Sequence, residues 1–144
     1  IRDLVRSRGL GDVYKRQALI TRGITEIARL GIAMGGRLET FAGLSGIGDL
    51  IVTCTSKHSR NHNAGVLIGK GYTMDEAMNE VKQVVEGVYS AKAAKKLAEK
   101  YQVSMPIVSE INEVLFGDLS AKDALANLLT RDRCEEYPND PWQQ

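Results

Sequence analysis

Residues 46 to 61 carry the densest set of polar signals in the chain and read Gly46-Ile47-Gly48-Asp49-Leu50-Ile51-Val52-Thr53-Cys54-Thr55-Ser56-Lys57-His58-Ser59-Arg60-Asn61. Two glycines lead to an acid at the front of an apolar run, a hydroxyl-rich turn follows, and Ser-Arg-Asn opens a second run with helical spacing. Gly46 and Gly48 allow a backbone path that a β-carbon would block. The pattern predicts an elbow between two helices.

The second helix of this elbow is a candidate anion site. The start of a helix leaves backbone N–H groups unpaired and carries a partial positive charge, so it attracts anions. Ser59 is predicted to cap this start, with Arg60 and Asn61 in the first turn. A guanidinium pairs with a phosphate through two parallel bonds, and an amide adds donors and an acceptor. The residues alone leave open that Asp49 and Ser59 are only caps and Arg60 a surface charge.

Two carboxylates and a hydroxyl extend the candidate site. Thr53 lies four residues after Asp49, one helical turn on, so both side chains can point to the same side. Glu86 stands at the predicted start of another helix, where the dipole alone favours an acid. A ligand-binding role and a purely local role therefore both stay open for Glu86.

Cysteine and histidine near the elbow indicate neither a nucleophile nor a metal centre. Cys54 beside threonines is more typical of a small buried residue than of a reactive thiol. His58 and His62 are four apart, which suits two ligands on one helix face, but no HExxH pattern or third ligand accompanies them. We expect no metal site and expect both histidines at the surface or rim.

Composition bounds the class of protein. The 144 residues suit one domain, and a net charge of +1 indicates no polyanion-binding tail. Two cysteines, Cys54 and Cys134, are too few for a disulfide framework and predict a cytoplasmic location. No apolar run reaches the roughly 20 residues of a membrane span. The lysines between residues 92 and 100 lack interleaved aromatics, so we expect a solvated face and no nucleic-acid partner.

Helical spacing of apolar residues recurs along the chain, and strand patterns are nearly absent. We predict an all-α domain of six or seven helices. Local signals mark the boundaries: Ser59, a Thr73–Glu76 capping box, Pro106 and Gly117 around one helix, and Ser120 before the last. The predicted buried side chains include Ile27 and Met34 in the first helix and Ile107, Ile111, Val114 and Leu115 in a later one. Arg22 and Glu26 are expected on the outer side of the first helix.

Three segments differ in character. Residues 1–17 hold four arginines and one lysine without an apolar period and end in a run that resembles translated sequencing-adapter DNA. We interpret them as a non-native or disordered segment, with a genuine flexible arm as the alternative. Residues 18–133 form the predicted helical domain, which contains the candidate ligand site, and residues 134–144 form a loose tail.

Six short motifs recur in order between Ala18 and roughly Arg133: Ala18-Leu19-Ile20-Thr21-Arg22-Gly23, Thr40-Phe41-Ala42-Gly43-Leu44-Ser45-Gly46-Ile47-Gly48-Asp49-Leu50, Thr53-Cys54-Thr55, Ser59-Arg60-Asn61, Val84-Val85-Glu86-Gly87 and Met105-Pro106-Ile107. Each is weak alone, but together and in this order they resemble the C-terminal domain of bacterial NAD(P)-dependent glycerol-3-phosphate dehydrogenase. The resemblance implies the helical domain shared by 6-phosphogluconate dehydrogenase-like enzymes.

The resemblance also implies an activity, the interconversion of dihydroxyacetone phosphate and sn-glycerol 3-phosphate with NAD or NADP for glycerophospholipid synthesis. Asp49 and Thr53 would support catalysis, and Asp49, Ser59, Arg60 and Asn61 would bind substrate. Arg60, Val84 and Glu86 would contact the cofactor. A homodimer is expected for the full-length enzyme.

Other functions stay open from the residues. No GxGxxG fingerprint with a βαβ pattern is present, and the family's catalytic lysine would lie upstream of this sequence, so we expect the chain alone to be inactive. A helical phosphate-binding module, a dimerisation domain, or the helical half of a related 2-hydroxyacid dehydrogenase are the alternatives.

Overall fold

The computed structural model describes residues 2–43, 46, 48–56 and 58–130. Over these residues the regular structure comprises eight α-helices and no strand, which confirms the all-α prediction. The helices are α1 (Arg2–Ala33), α2 (Leu38–Ala42), α3 (Asp49–Thr55), α4 (Arg60–Gly69), α5 (Met74–Val81), α6 (Glu86–Tyr101), α7 (Pro106–Phe116) and α8 (Ala121–Thr130). The described helices number eight, one more than the upper end of the predicted six or seven.

The predicted segment boundaries meet the structure only in part. Helix α1 begins at Arg2 and continues through residue 17 without a break. The interpretation of residues 1–17 as non-native or disordered stays a prediction. The predicted tail, residues 134–144, and Cys134 lie outside the described residues.

Caps set the boundaries of the helices as the sequence predicted. Thr73 Oγ1 accepts from the Glu76 N–H at 3.2 Å, while Glu76 Oε2 accepts from the Thr73 N–H at 3.1 Å, completing the capping box of α5. Helix α7 begins at Pro106 and its C-cap is Gly117. The Asp123 N–H donates to Ser120 Oγ at 3.1 Å at the start of α8. These local bonds satisfy N–H groups that a helix start leaves unpaired.

The hydrophobic core joins α4, α5 and α6. Ala64 and Val88 are buried together with Val85, which is 2% exposed and directly precedes α6. Met74, Met78, Val81 and Leu115 pack around this cluster. Val85 is thus a buried anchor that fixes where α6 begins. Among the described residues, no helix is long and apolar enough to cross a lipid bilayer.

A stripe of charged side chains on α1 faces the other helices, so the predicted outer position of Arg22 and Glu26 is wrong. Glu26 is only 5% exposed; its carboxylate oxygens accept from the Ile107 N–H at 2.6 Å and the Val108 N–H at 3.4 Å. Arg22 donates to the Leu128 carbonyl oxygen in the last part of α8. An anion at the start of a helix and a cation at its end both interact favourably with the helix dipole. Charge complementarity to helix ends therefore outweighs the local i,i+4 pairing.

Other apolar positions also differ from the predicted burial. Ile27 of α1 is 45% exposed, because the charged stripe occupies the inner side of that helix, and Met34, which follows the end of α1, is 49% exposed. In α7, Ile111 is 42% exposed and the neighbouring Asn112 is buried instead. Asn112 Nδ2 donates to the carbonyl oxygen of Ala91 in α6 at 2.9 Å and to that of Val108 at 2.8 Å. The Asn112 side chain thus links α6 to α7. The spacing of apolar residues in the sequence cannot reveal such a contact.

Glycines allow close contacts between α1, α2 and the elbow. A β-carbon at Gly31 would overlap the Phe41 ring, and one at Gly46 would overlap the Phe41 carbonyl oxygen and lie 2.8 Å from its carbonyl carbon. The predicted need for glycine at position 46 is confirmed, and the reason is this approach of backbone to backbone. Gly48 has right-handed helical angles, with φ −61° and ψ −47°, that any residue can adopt.

Glu26→Ala is expected to lower the free energy of unfolding by about 2 kcal/mol, because two N–H groups at the start of α7 lose a charged acceptor. Urea denaturation of the 144-residue chain measures this. Glu80→Ala, at an exposed position of α5, is the matched control and should change stability by less than about 0.5 kcal/mol. Equal stability of the two variants would contradict the assigned role of Glu26.

Candidate functional site

An open cavity of about 340 Å³ lies where α3, α4 and α6 meet. Its walls come from the second half of α3, the turn that follows, the first turn of α4 and the first residue of α6. The lining residues are Val52, Thr53, Ser56, His58, Ser59, Arg60, Asn61 and Glu86. Seven of these eight side chains are polar or charged, so the cavity suits a small polar ligand.

The start of α4 forms one wall of this cavity. Ser59 is the N-cap, and its Oγ accepts from the His62 N–H at 3.2 Å, which confirms the predicted cap. Arg60 is the first residue of the helix and is exposed. The guanidinium and the positive end of the helix dipole therefore lie beside the same cavity, an arrangement that attracts anions.

The start of α6 faces the start of α4. The Gly87 N–H, in the first turn of α6, donates to Asn61 Oδ1 at 2.9 Å. Glu86 comes directly before Gly87 and lines the cavity from that side. The bond joins residues 26 positions apart in sequence and brings Glu86 and Arg60 to the same cavity.

Five of the predicted site residues line this cavity: Thr53, Ser59, Arg60, Asn61 and Glu86. Asp49 and Val84 are not in its lining. Asp49 is an exposed residue at the start of α3, one helical turn before Thr53, and Val84 is 58% exposed two positions before Glu86. Geometry thus brings together the residues from the predicted elbow and the start of α6, with Asp49 and Val84 flanking them. The individual roles stay predictions.

Three lining residues were not among the predicted site residues, namely Val52, Ser56 and His58. Ser56 follows α3, and its Oγ accepts from the His58 N–H at 3.2 Å, which shapes the turn into α4. The hydroxyl-rich composition of this turn was a usable signal for Ser56. His58 was predicted at the surface or rim, and its exposed position beside the cavity agrees with that prediction.

A second cavity of about 470 Å³ lies between the end of α6 and the start of α7. Its charged lining residues are Lys95 and Glu99, and the others are apolar or neutral side chains from residues 98–109. It brings together none of the predicted site residues, whereas the smaller cavity gathers five. The smaller cavity is therefore the candidate site.

Cys54 lies on α3 beside the cavity-lining Thr53. Partial burial raises the pKa of the Cys54 thiol above its usual value, and the positive charge of Arg16 opposes this only in part. A thiol with a raised pKa stays protonated near neutral pH and is a poor nucleophile. Among the described residues, no three His, Cys, Asp or Glu side chains lie close enough to hold a metal ion.

Alkylation of Cys54 is expected to be slow at pH 7 and to accelerate only at a higher pH than for an unperturbed thiol, because partial burial raises the pKa of the Cys54 thiol. Iodoacetamide labelling of a Cys134→Ser variant, followed by mass spectrometry across a pH series, measures the rate at Cys54 alone. Denatured protein is the reference and should react faster near neutral pH, where the folded-state thiol stays protonated. Equal rates in both states would contradict the raised pKa.

Comparison with known proteins relates this chain to one enzyme family. The family model described as the NAD-dependent glycerol-3-phosphate dehydrogenase C-terminus matches residues 4–126. This match begins inside residues 1–17, the segment interpreted above as non-native or disordered. The chain is similar to a protein named glycerol-3-phosphate dehydrogenase [NAD(P)+] from Agathobacter rectalis, with 62% identity over 135 residues, 94% of this chain and 40% of the relative.

Two further similarities agree. A protein of the same name from Moorella thermoacetica is 52% identical over 134 residues, 93% of this chain and 40% of that relative. The crystal structure of glycerol-3-phosphate dehydrogenase from Coxiella burnetii superposes with a TM-score of 0.80 at 41% identity, covering 82% of this chain and 36% of that one. The chain therefore spans about two fifths of the length of the relatives it matches.

Proposed function

Because this chain belongs to the family of NAD-dependent glycerol-3-phosphate dehydrogenase C-terminal domains, we propose that it supplies the substrate-binding half of such an enzyme. The reaction is the interconversion of dihydroxyacetone phosphate and sn-glycerol 3-phosphate with NAD or NADP. Its product would serve glycerophospholipid synthesis.

One observation carries the proposal: the cavity between α3, α4 and α6 gathers a guanidinium, two helix starts, hydroxyls and a carboxylate. A three-carbon phosphate has a dianionic phosphate at one end. At the other end it has hydroxyl or carbonyl groups that donate or accept hydrogen bonds. Cations and N–H donors suit the first end, whereas hydroxyl and carboxylate groups suit the second. The cavity offers both kinds of group within one small volume.

Each substrate-facing residue has a role that its position supports. Arg60, with Ser59 and Asn61 at the start of α4, would hold the phosphate through charged hydrogen bonds. Thr53 would orient the reacting oxygen from α3. Asp49 would act from one turn earlier, next to the proton-transferring lysine that the resemblance assigns to another part of the enzyme. Holding substrate in one orientation is the main rate gain that such residues can provide.

The cofactor would lie along the start of α6. Glu86 offers a carboxylate that can accept from sugar hydroxyls, Val84 offers an exposed apolar surface two positions away, and Arg60 can reach a phosphate. When bound, NAD or NADP would exchange a hydride with the substrate carbon. The chain's own residues would bind and orient both partners and exclude water between them.

The cellular context is part of the same proposal. A cytoplasmic location accords with only two cysteines in the sequence. A homodimer of the full-length enzyme follows from the resemblance. Sedimentation equilibrium of the full-length protein measures the subunit number, and a monomer at micromolar concentration would contradict this part.

The activity is tested with a full-length dehydrogenase that carries this domain. We expect oxidation of NADH or NADPH, measured at 340 nm, that depends on dihydroxyacetone phosphate and yields sn-glycerol 3-phosphate. The same assay with 2-oxo acids tests the related 2-hydroxyacid dehydrogenase and should show no comparable rate. Calorimetry with glycerol 3-phosphate on the 144-residue chain tests the alternative of a phosphate-binding module. Of the functions considered, only that module has to bind the ligand tightly without the rest of the enzyme.

A further inference from the structure

Helix α6 takes a cap from a different helix. Its N-cap residue, Val85, has an apolar side chain that cannot accept a hydrogen bond, and that side chain is buried in the core. The Gly87 N–H, which the helix itself cannot satisfy, donates instead to Asn61 Oδ1 of α4 at 2.9 Å. The amide of Asn61 therefore serves α6 in the way that a Ser or Asp N-cap would.

This bond fixes which end of the Asn61 amide faces the ligand. An N–H group can donate only to an acceptor, so the oxygen of Asn61 must face Gly87. The two protons on Nδ2 are then available at the cavity that Asn61 lines. Asn61 is therefore a hydrogen-bond donor toward a ligand. It can bind an anionic or carbonyl oxygen, but its Nδ2 group cannot accept a hydrogen bond from a ligand hydroxyl.

The absence of a side chain at Gly87 permits the bond. A β-carbon there would lie 2.8 Å from Asn61 Oδ1 and 2.9 Å from Asn61 Cγ, closer than real β-carbons approach. Asn61 is an exposed side chain that can rotate away. Gly87→Ala would therefore leave the fold intact and displace the Asn61 amide from the cavity.

We propose that Gly87 and Asn61 form a positioning pair: Gly87 turns the Asn61 amide so that its N–H donors face the phosphate-bearing substrate. Gly87 acts through Asn61 and does not itself touch substrate. The inference rests on the proposed dehydrogenase function for the identity of the ligand, whereas the contact itself can be tested without activity.

The contact is tested on the 144-residue chain by ¹⁵N nuclear magnetic resonance. Asn61→Ala should shift the Gly87 amide signal and increase its hydrogen exchange at least tenfold, because the N–H loses its acceptor. Gly65→Ala is the matched control because Gly65 lies in α4, the helix of Asn61, and a β-carbon at Gly65 meets no atom within 4 Å. An unmoved Gly87 signal in the Asn61→Ala variant would overturn the pair.

The positioning role is tested by a double-mutant cycle in the full-length dehydrogenase. Gly87→Ala alone should raise the KM for dihydroxyacetone phosphate at least tenfold, with less than a threefold change in the KM for the dinucleotide. In an Asn61→Ala background the same Gly87→Ala change should alter the KM for dihydroxyacetone phosphate less than twofold. Gly65→Ala should leave both constants unchanged.

The outcomes separate the two claims. Additive effects of Gly87→Ala and Asn61→Ala would overturn the positioning role, since Gly87 would then act without Asn61. Equal increases in both KM values would likewise indicate general damage to the domain and overturn it. A wild-type enzyme that does not reduce dihydroxyacetone phosphate would overturn the proposed function, and the shift of the Gly87 amide would still report whether the contact exists.

Discussion

Replacing Arg60 with alanine is expected to lower kcat/KM for dihydroxyacetone phosphate about a hundredfold in a full-length dehydrogenase that carries this domain. Arg60 is exposed at the first position of α4 and lines the cavity beside Ser59 and Asn61. Loss of a charged hydrogen bond to the substrate phosphate costs about 3 kcal/mol of transition-state binding. Initial rates across a series of substrate concentrations measure the change.

Two comparisons make the Arg60 result specific. Lys96→Ala removes a positive charge from an exposed position on α6 and should leave kcat/KM within a factor of two. Arg60→Lys keeps the charge but loses the planar fork, so its rate should fall between those of the wild type and Arg60→Ala. If Arg60→Ala retained full kcat/KM, Arg60 would not belong to the site.

Replacing Gly46 with alanine is expected to destabilise the domain by about 3 kcal/mol, the upper part of the range for overpacking. A β-carbon at Gly46 would overlap the Phe41 carbonyl oxygen and lie 2.9 Å from the Phe41 Cα, and backbone atoms cannot rotate away as a side chain can. Separation of α2 from the residues leading into α3 is the expected response. Urea denaturation of the 144-residue chain, followed by far-ultraviolet circular dichroism, gives the free energy of unfolding.

Gly65→Ala is the control for Gly46→Ala because it adds the same methyl group in open space within α4. Alanine is about 1 kcal/mol better than glycine inside a helix, so this variant should be equally or more stable than the wild type. Similar losses of stability at both positions would contradict a role for the contact between Gly46 and Phe41.

Local chemistry predicts the helix boundaries of this fold well. Ser59, Thr73 with Glu76, and Pro106 act on backbone groups within three or four residues, so a short window of sequence contains the whole interaction. Ala124 and Leu128 of α8 are four residues apart and both buried, as the spacing of apolar residues on one side of a helix indicates. These elements needed no knowledge of the tertiary structure.

Tertiary contacts explain what the sequence could not reveal. Glu26 is buried because the start of α7, 81 residues away, needs an acceptor. Asn112 replaces Ile111 on the inner side of α7 because it reaches the Ala91 carbonyl oxygen in α6. A polar residue at such a position has the same local pattern as a solvated one, so spacing alone assigns it to the outside.

Some residues of the candidate site were predictable from local sequence, and others depend on tertiary contacts. Ser59, Arg60 and Asn61 were predicted as a group because they are adjacent in sequence and open a helix. Glu86 joins them through the bond between Asn61 and Gly87, which no local pattern encodes. Asp49 was grouped with Thr53 by helical spacing, yet only Thr53 lines the cavity, and Asp49 is exposed at the first position of α3.

The charged stripe of α1 also determines how precisely that helix is seated. Apolar side chains can slide past one another with little directional penalty, whereas the carboxylate of Glu26 must meet two particular N–H groups of α7. A slip of α1 by one helical turn would carry Glu26 about 5.4 Å along the axis and break both bonds, together with that of Arg22 to Leu128. The stripe therefore selects a single register for the longest helix, and misaligned packings of the same apolar surfaces are penalised by unpaired buried charge.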